Sequence, residues 1–202
     1  TATATLGWWW RRRFAPEAIR AATPRRLVFC LPMRSLVSQT VGAIEEWQAN
    51  LSSLEKGLPN LRICTLMGGA VDDSWEMHPD EDCILVGTQD QLLSRALNRG
   101  YAMNRYRWSV HFSLLNNDVL WVMDEVQLMG VGLSTSAQLQ GFGFPSYGPR
   151  RTLWMSATLA EEKLQTVDNK ASLVAFNLTD AERSQELLAK RAFAVKRLQK
   201  AE

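Results

Sequence analysis

The sequence is poor in the residues that build metal centres and covalent staples. It holds 3 cysteines (Cys30, Cys64 and Cys83) and 2 histidines (His78 and His111) in 202 residues. No two cysteines form a C-x-x-C pair, which excludes a disulfide scaffold and a zinc finger or ribbon. Each cysteine lies in or beside an apolar run and reads as a small buried hydrophobe in a reducing compartment. Neither histidine has a partner at H-x-x-x-H spacing, so a histidine-built metallonuclease is absent from this stretch. No apolar run approaches the ~20 residues that span a bilayer. Charge of one sign is missing as well: Lys+Arg is 23 and Asp+Glu is 21, a net +2. That excludes a histone-like polyelectrolyte but allows a local basic face. There is no internal repeat and no low-complexity tract. With 46% apolar and 22% charged residues, the composition is that of one packed domain, or one domain with an appendage, rather than a disordered chain. Thr1 opens the chain with neither a starting Met nor a signal-peptide layout, and the whole reads as a fragment of something longer.

What is present is a succession of short apolar runs. Leu27–Leu31, Leu61–Met67, Cys83–Val86, Val119–Met123 and Arg151–Met155 are expected strands. Runs without alternation fit strands covered on both faces, as in a parallel sheet. Between them lie helical patterns. Val37, Val41, Ile44 and Leu51 form one stripe. Thr88-x-x-Gln91 is a capping-box pattern for a helix burying Leu92, Leu93, Ala96 and Leu97. Thr179-x-x-Glu182 is another, opening a long final helix with Leu187, Leu188, Val195 and Leu198. Loops are expected at Gly57–Pro59 and Phe142–Arg150. Strand and helix in alternation predict an α/β layer fold. Of Trp8-Trp9-Trp10-Arg11-Arg12-Arg13, one or two tryptophans belong in the core and the arginines at the solvated end of a helix. The lysines and arginines from Lys190 to Lys200 read as a solvated face.

In open parallel sheets ligands bind beyond the carboxyl ends of the strands, so the residues there carry most information. Asp124-Glu125 ends the fourth run. A nucleoside triphosphate site needs such a pair: one carboxylate for Mg2+, held mostly through water, and one beside the attacking water. Taken alone, the pair also reads as an acidic strand end in solvent. Ser156-Ala157-Thr158 ends the next run, and its hydroxyls can relay hydrogen bonds from a nucleotide site; alone it reads as a helix-capping turn. Arg34, at a helix start after Pro32, can grip a backbone phosphate, and Thr88, Gln89 and Asp90 open another helix. Gly68-Gly69 permits close approach of a nucleic-acid backbone or forms an ordinary turn.

In this order, Pro32-Met33-Arg34, Gly87-Thr88-Gln89-Asp90, Asp124-Glu125-Val126-Gln127 and Ser156-Ala157-Thr158 resemble motifs Ia, Ib, Walker B and III of superfamily 2 helicases. The resemblance covers roughly residues 1 to 165 and implies a first RecA-like domain over 1–175, with 176–202 a helical connector toward a second. Leu27–Thr40, LVFCLPMRSLVSQT, and Leu115–Leu139, LNNDVLWVMDEVQLMGVGLSTSAQL, look like the helicase portion of the type I CRISPR-associated helicase-nuclease. That family implies a cytoplasmic bacterial or archaeal enzyme using ATP and Mg2+ on single-stranded DNA. Its partners are a nuclease domain and a guide-RNA surveillance complex, with no membrane.

Carried over by the resemblance, Asp124 takes the Mg2+ role and Glu125 activates water. Gln127 senses the γ-phosphate or couples to the second domain. Ser156 and Thr158 link hydrolysis to motion, and Pro32, Arg34, Gly69, Thr88 and Gln89 line the nucleic-acid track. The phosphate-cradling G-x-x-x-x-G-K-[ST] is missing from the 202 residues, so the domain reads as truncated before that loop, with Thr1 as its hydroxyl residue. Negligible ATP hydrolysis by this stretch alone is the expectation. Other readings stay open: an RNA helicase of the same superfamily, a RecA-like binding module without hydrolysis, or a nucleotide-binding regulator.

Overall fold

The computed structural model describes residues 1–54, 60–142, 148–156, 161–165, 168–170, 173–176, 179–183 and 185. The first compact unit spans Thr1–Ala171. It begins with α1 (Ala2–Arg13) and α2 (Glu17–Ala21), followed by β1 (Arg26–Leu31) and α3 (Arg34–Leu54). Then come β2 (Arg62–Met67), β3 (Ala70–Val71), β4 (Cys83–Thr88) and α4 (Gln89–Ala96). The unit continues with α5 (Trp108–Asn116), β5 (Val119–Met123), α6 (Val131–Gly141) and β6 (Arg150–Trp154).

The described residues form a six-stranded sheet ordered β3-β2-β4-β1-β5-β6. All pairs are parallel except β2–β3. This is the mainly parallel α/β sheet that the apolar runs predicted. Val28 lies between Leu85 and Trp121, which sets the register at the centre. Because side chains alternate along a strand, β1 serves two cores. Leu27, Phe29 and Leu31 join Trp8, Trp9, Val37 and Ile44 on one face. Val28 and Cys30 point to the other face, where α4 and α5 pack against the sheet. Every β1 and β4 residue is buried, which is why neither strand alternates in sequence.

Several local expectations change. The turn at Gly68-Gly69 closes a hairpin, adding β3, which two residues are too few to announce. β4 runs on through Gly87 and Thr88. A Cβ on Gly87 would lie 2.5 Å from the Leu66 carbonyl oxygen, so only glycine lets β2 and β4 approach there. The capping box at Thr88 does not form: Thr88 makes no side-chain cap bond, and Gln91 is buried with its Oε1 accepting from Arg95. Leu97 is exposed rather than buried, because α4 ends at Ala96. Trp8 and Trp9 are core while Trp10 is 53% exposed. The arginines after them are not merely solvated. Arg12 pairs with Asp82 at 2.6 Å and donates to the Arg20 and Thr23 carbonyls, locking α1 to the turns around it.

The second unit, Ser172–Glu202, includes α7 (Asp180–Arg183). Its capping box is made: Thr179 N–H donates to Glu182 Oε2 at 2.8 Å, and Glu182 N–H to Thr179 Oγ1 at 3.3 Å. The Thr179 N–H and hydroxyl, both donating to Oε2, hold the Glu182 carboxyl below its usual range. Leu187, Leu188, Val195, Leu198, the basic residues from Lys190 to Lys200, and the Gly57–Pro59 loop lie outside the described residues. So do residues 143–147 of the expected Phe142–Arg150 loop.

All three cysteines are buried and free, and burial pushes the Cys64 and Cys83 thiols up to about 12. The folded chain is therefore expected to resist alkylation by iodoacetamide at pH 8, and all three thiols to react once urea unfolds it. Rapid labelling of the folded protein would contradict this burial.

Candidate functional site: a carboxylate pair at the strand ends

The parallel strands deliver their carboxyl ends to one edge of the sheet. Asp124 follows β5 there, and its N–H donates to the Cys30 carbonyl of β1 at 3.1 Å. Glu125 follows in the left-handed region, at φ 54° and ψ 42°. A non-glycine residue held there costs about 1–3 kcal/mol, so the surroundings must enforce it. They do so through two bonds. Glu125 N–H donates to Asp124 Oδ1 at 2.9 Å, and Val126 N–H to the Met155 carbonyl, just past β6, at 3.3 Å. The turn aims the two carboxylates differently.

Asp124 faces the start of α1, where Thr1 Oγ1 donates to Asp124 Oδ2 at 2.9 Å. Thr1 is also the N-cap residue of α1, so this contact places the helix's first-turn N–H groups beside a carboxylate and a hydroxyl. Glu125 faces Gln127 and Ser156. Gln127 Nε2 donates to Glu125 Oε2 at 2.5 Å, and Ser156 Oγ donates to Gln127 Oε1 at 2.7 Å. A continuous polar chain therefore runs from one carboxylate through an amide to the end of β6.

At the same edge, Arg34 opens α3 and is exposed, and Pro32 before it is half-buried. The Arg34 guanidinium rests on the hairpin: a Cβ on Gly69, which sits at φ 85°, would be 3.4 Å from Nη2. Gln89 is half-buried and packs on Gly132 at the start of α6, where any side chain on residue 132 would strike its amide.

The model of the DEAD/DEAH box helicase family matches residues 13–167. This chain belongs to the DEAD/DEAH box helicase family. A search of curated proteins returned no match. Membership places the domain among ATP-dependent nucleic-acid helicases. Its Asp124-Glu125-Val126-Gln127 keeps the acidic pair that opens the D-E-A-D or D-E-A-H of the family name and departs from both spellings at the last two positions.

The helicase domain thus brings together Thr1 with Asp124, Glu125 with Gln127 and Ser156, and Arg34 with Gly69. It does not bring Thr88 to the surface: at 7% exposure Thr88 is enclosed where β4 passes into α4, leaving Gln89 as the more accessible of the two. Thr158 and Ala157 lie outside the described residues. Sequence reasoning passed over a cluster of buried charges around Arg95 and His111. A signal was available, since Gln91 and Arg95 stand four residues apart on the face of α4 that also buries Leu92 and Ala96. Among the described residues no group of three or more His, Cys, Asp or Glu side chains is placed to hold a metal ion. None of the described helices is long and apolar enough to cross a membrane.

Proposed function

We propose that this domain is the ATP-hydrolysing part of a motor moving on single-stranded DNA in CRISPR interference, supplying strand to an attached nuclease. The observation that supports the motor most directly is the pair of contacts made by adjacent carboxylates, Thr1 to Asp124 and Gln127 to Glu125. The DNA substrate, the guide-RNA surveillance complex and the bacterial or archaeal cytoplasm rest on the resemblance of Leu27–Thr40 and Leu115–Leu139 alone.

The donor set fits the cofactor. Mg2+ binds hard oxygens, keeps several waters and commonly takes one or two carboxylates beside nucleotide phosphates. Asp124 and the Thr1 hydroxyl are the residues that would hold it, the carboxylate mostly through water. Bound ATP and Mg2+ supply a transferable phosphoryl group with its charge partly neutralised. The chain's own residues do the rest. The N–H groups opening α1 offer donors to phosphate oxygens. Glu125 accepts the proton of the attacking water. Gln127 holds the Glu125 carboxylate in place and transmits its position to Ser156 at the end of β6. Thr158 belongs to the same proposed coupling. Pro32, Arg34, Gly69 and Gln89 are assigned to the nucleic-acid track, with Arg34 meeting phosphate and Gly69 admitting the backbone, while the enclosed Thr88 is the N-cap residue that starts α4.

ATP turnover by the full-length protein, measured with no nucleic acid, with single-stranded DNA and with single-stranded RNA, tests this. Stimulation of about tenfold or more by DNA, greater than by RNA, is expected. Stimulation by RNA alone would overturn the DNA assignment, and turnover indifferent to both would overturn the motor. The 202 residues by themselves, lacking G-x-x-x-x-G-K-[ST], are expected to turn over almost no ATP. Steady hydrolysis by them that Glu125→Gln removes would contradict this.

A further inference from the structure

Five ionisable side chains from separate segments meet beneath the hairpin. Asp73 and Glu76 come from the segment after β3, which includes a 3-10 turn at Ser74–Met77. Arg95 comes from α4, Arg107 from the 3-10 turn Arg105–Arg107, and His111 from α5. Arg95 is 1% exposed and His111 0%. The Arg95 guanidinium distributes its donors in three directions. Nε–H donates to His111 Nδ1 at 3.2 Å, Nη1 to the carbonyl and side-chain oxygens of Gln91, and Nη2 pairs with Asp73 at 3.5 Å. Arg107 closes the ring, at 3.1 Å from Asp73 and 2.6 Å from Glu76. Since His111 Nδ1 accepts, its Nε2–H donates to Glu76 Oε2 at 2.5 Å, and the imidazole is neutral. Two guanidiniums and two carboxylates then balance. Trp75 packs edge-on to the imidazole at 4.7 Å between centroids.

Apolar residues could fill such a volume with equal or greater stability, so burying charge there calls for a reason other than stability. What the cluster joins supplies one. The β2–β3 hairpin is short: it pairs Leu66↔Val71 and Met67↔Ala70, adds one bond from the Asp72 N–H to the Thr65 carbonyl at 2.8 Å, and leaves β3 exposed. Its footing is the segment that Asp73 and Glu76 anchor. Gln91, held by Arg95, lies in the first turn of α4, two residues after Gln89.

We propose that the Arg95–His111 cluster is a positioning device for nucleic-acid binding, holding the hairpin that bears Gly69 at a set separation from the start of α4 that bears Gln89. This rests on the reading that both elements touch the strand. Arg95 and His111 are positioning residues; neither reaches the surface where the strand lies.

The cluster also implies a pH response. Burial, with Arg95 facing Nδ1, lowers His111 from its ordinary 6.5, while Glu76 and Asp73 oppose that and Arg107 neutralises both acids. The unfolded chain therefore takes up the proton first. Stability is fully present above about 6.5 and declines as pH falls below it. Protonation also turns the Nδ1 acceptor into a donor facing Arg95. His111→Gln, which does not titrate, is expected to lose this acid-side decline.

The test uses the full-length protein with Arg95→Met and Arg95→Lys, and Glu76→Gln should either fail to fold. Three readouts are compared: affinity for a fluorescent oligo-dT strand, affinity for a fluorescent ATP analogue, and hydrogen exchange over residues 62–77 and 89–95. A loss of strand affinity of about tenfold or more, with faster exchange in both segments and unchanged nucleotide affinity, is expected. Lys, which keeps the charge but not the fork, is expected to rescue little. Unchanged strand affinity despite faster exchange would overturn the proposal, and so would equal loss of strand and nucleotide affinity, which marks general unfolding. Wild-type protein that binds nucleotide but no strand would overturn the nucleic-acid reading itself, and is told apart by needing no variant.

Discussion

Glu125→Gln is expected to lower kcat for ATP hydrolysis by about 10²–10⁴-fold in the full-length protein while ATP still binds. Glutamine matches glutamate in length, and its amide oxygen can still accept from Gln127 Nε2, so the polar chain to Ser156 survives. What disappears is the basic oxygen proposed to take a proton from water. KM is expected to change little, because the lost interaction is made mainly in the transition state. Rapid-quench turnover and equilibrium binding of a fluorescent nucleotide separate the two. A tenfold rise in Kd with kcat unchanged would place Glu125 in binding rather than in chemistry. A companion variant exploits the backbone. Glu125 sits at φ 54°, so Glu125→Gly is expected to raise stability by up to about 1 kcal/mol while losing the same turnover. A variant more stable but inactive marks strain kept for function.

Arg26→Met is expected to destabilise the fold by about 3–5 kcal/mol. Arg26 opens β1 at the sheet edge opposite the carboxylate pair and is 4% exposed. Its three nitrogens donate to three carbonyls: Nε to Leu114 at 3.0 Å, Nη1 to Pro79 at 3.0 Å and Nη2 to Asn117 at 2.8 Å. These carbonyls belong to the end of α5 and to the turns entering β4 and β5, so one side chain ties the approaches to three adjacent strands. Burial lowers the guanidinium from its ordinary value, with Asp118 and Cys83 acting the other way. Methionine keeps much of the apolar volume and removes every donor. The expected loss corresponds to a fall in Tm of roughly 10 °C for a domain of this size. Urea unfolding measures it directly, and a change below about 1 kcal/mol would show that water replaces the lost donors.

How much of this was legible in sequence follows from the reach of each signal. β1, β4 and β5 were readable because a strand covered on both faces must be apolar throughout. Asp124, Glu125 and Ser156 were readable for a related reason: parallel strands leave their last residues on one edge, so polar residues closing apolar runs converge without further information. β3 was not readable, since two residues carry no periodicity. The Thr88 capping box was misread because Gln91 had a stronger partner in Arg95, a guanidinium buried one turn along. Arg26 was passed over as a polar residue before a strand, and nothing local says that three carbonyls wait for it.

The layer architecture, the sheet edge where polar residues converge and the identity of the acidic pair could be read along the chain. Those depend on periodicity and on residue types within a few positions of one another. Which carboxylate meets Thr1 and which meets Gln127, the left-handed backbone of Glu125 and the tie from Arg95 in α4 to Asp73 after β3 come from the packed fold alone. Each of these is a contact between residues brought together by packing, and directional bonds of about 3 Å are set by where whole elements come to rest.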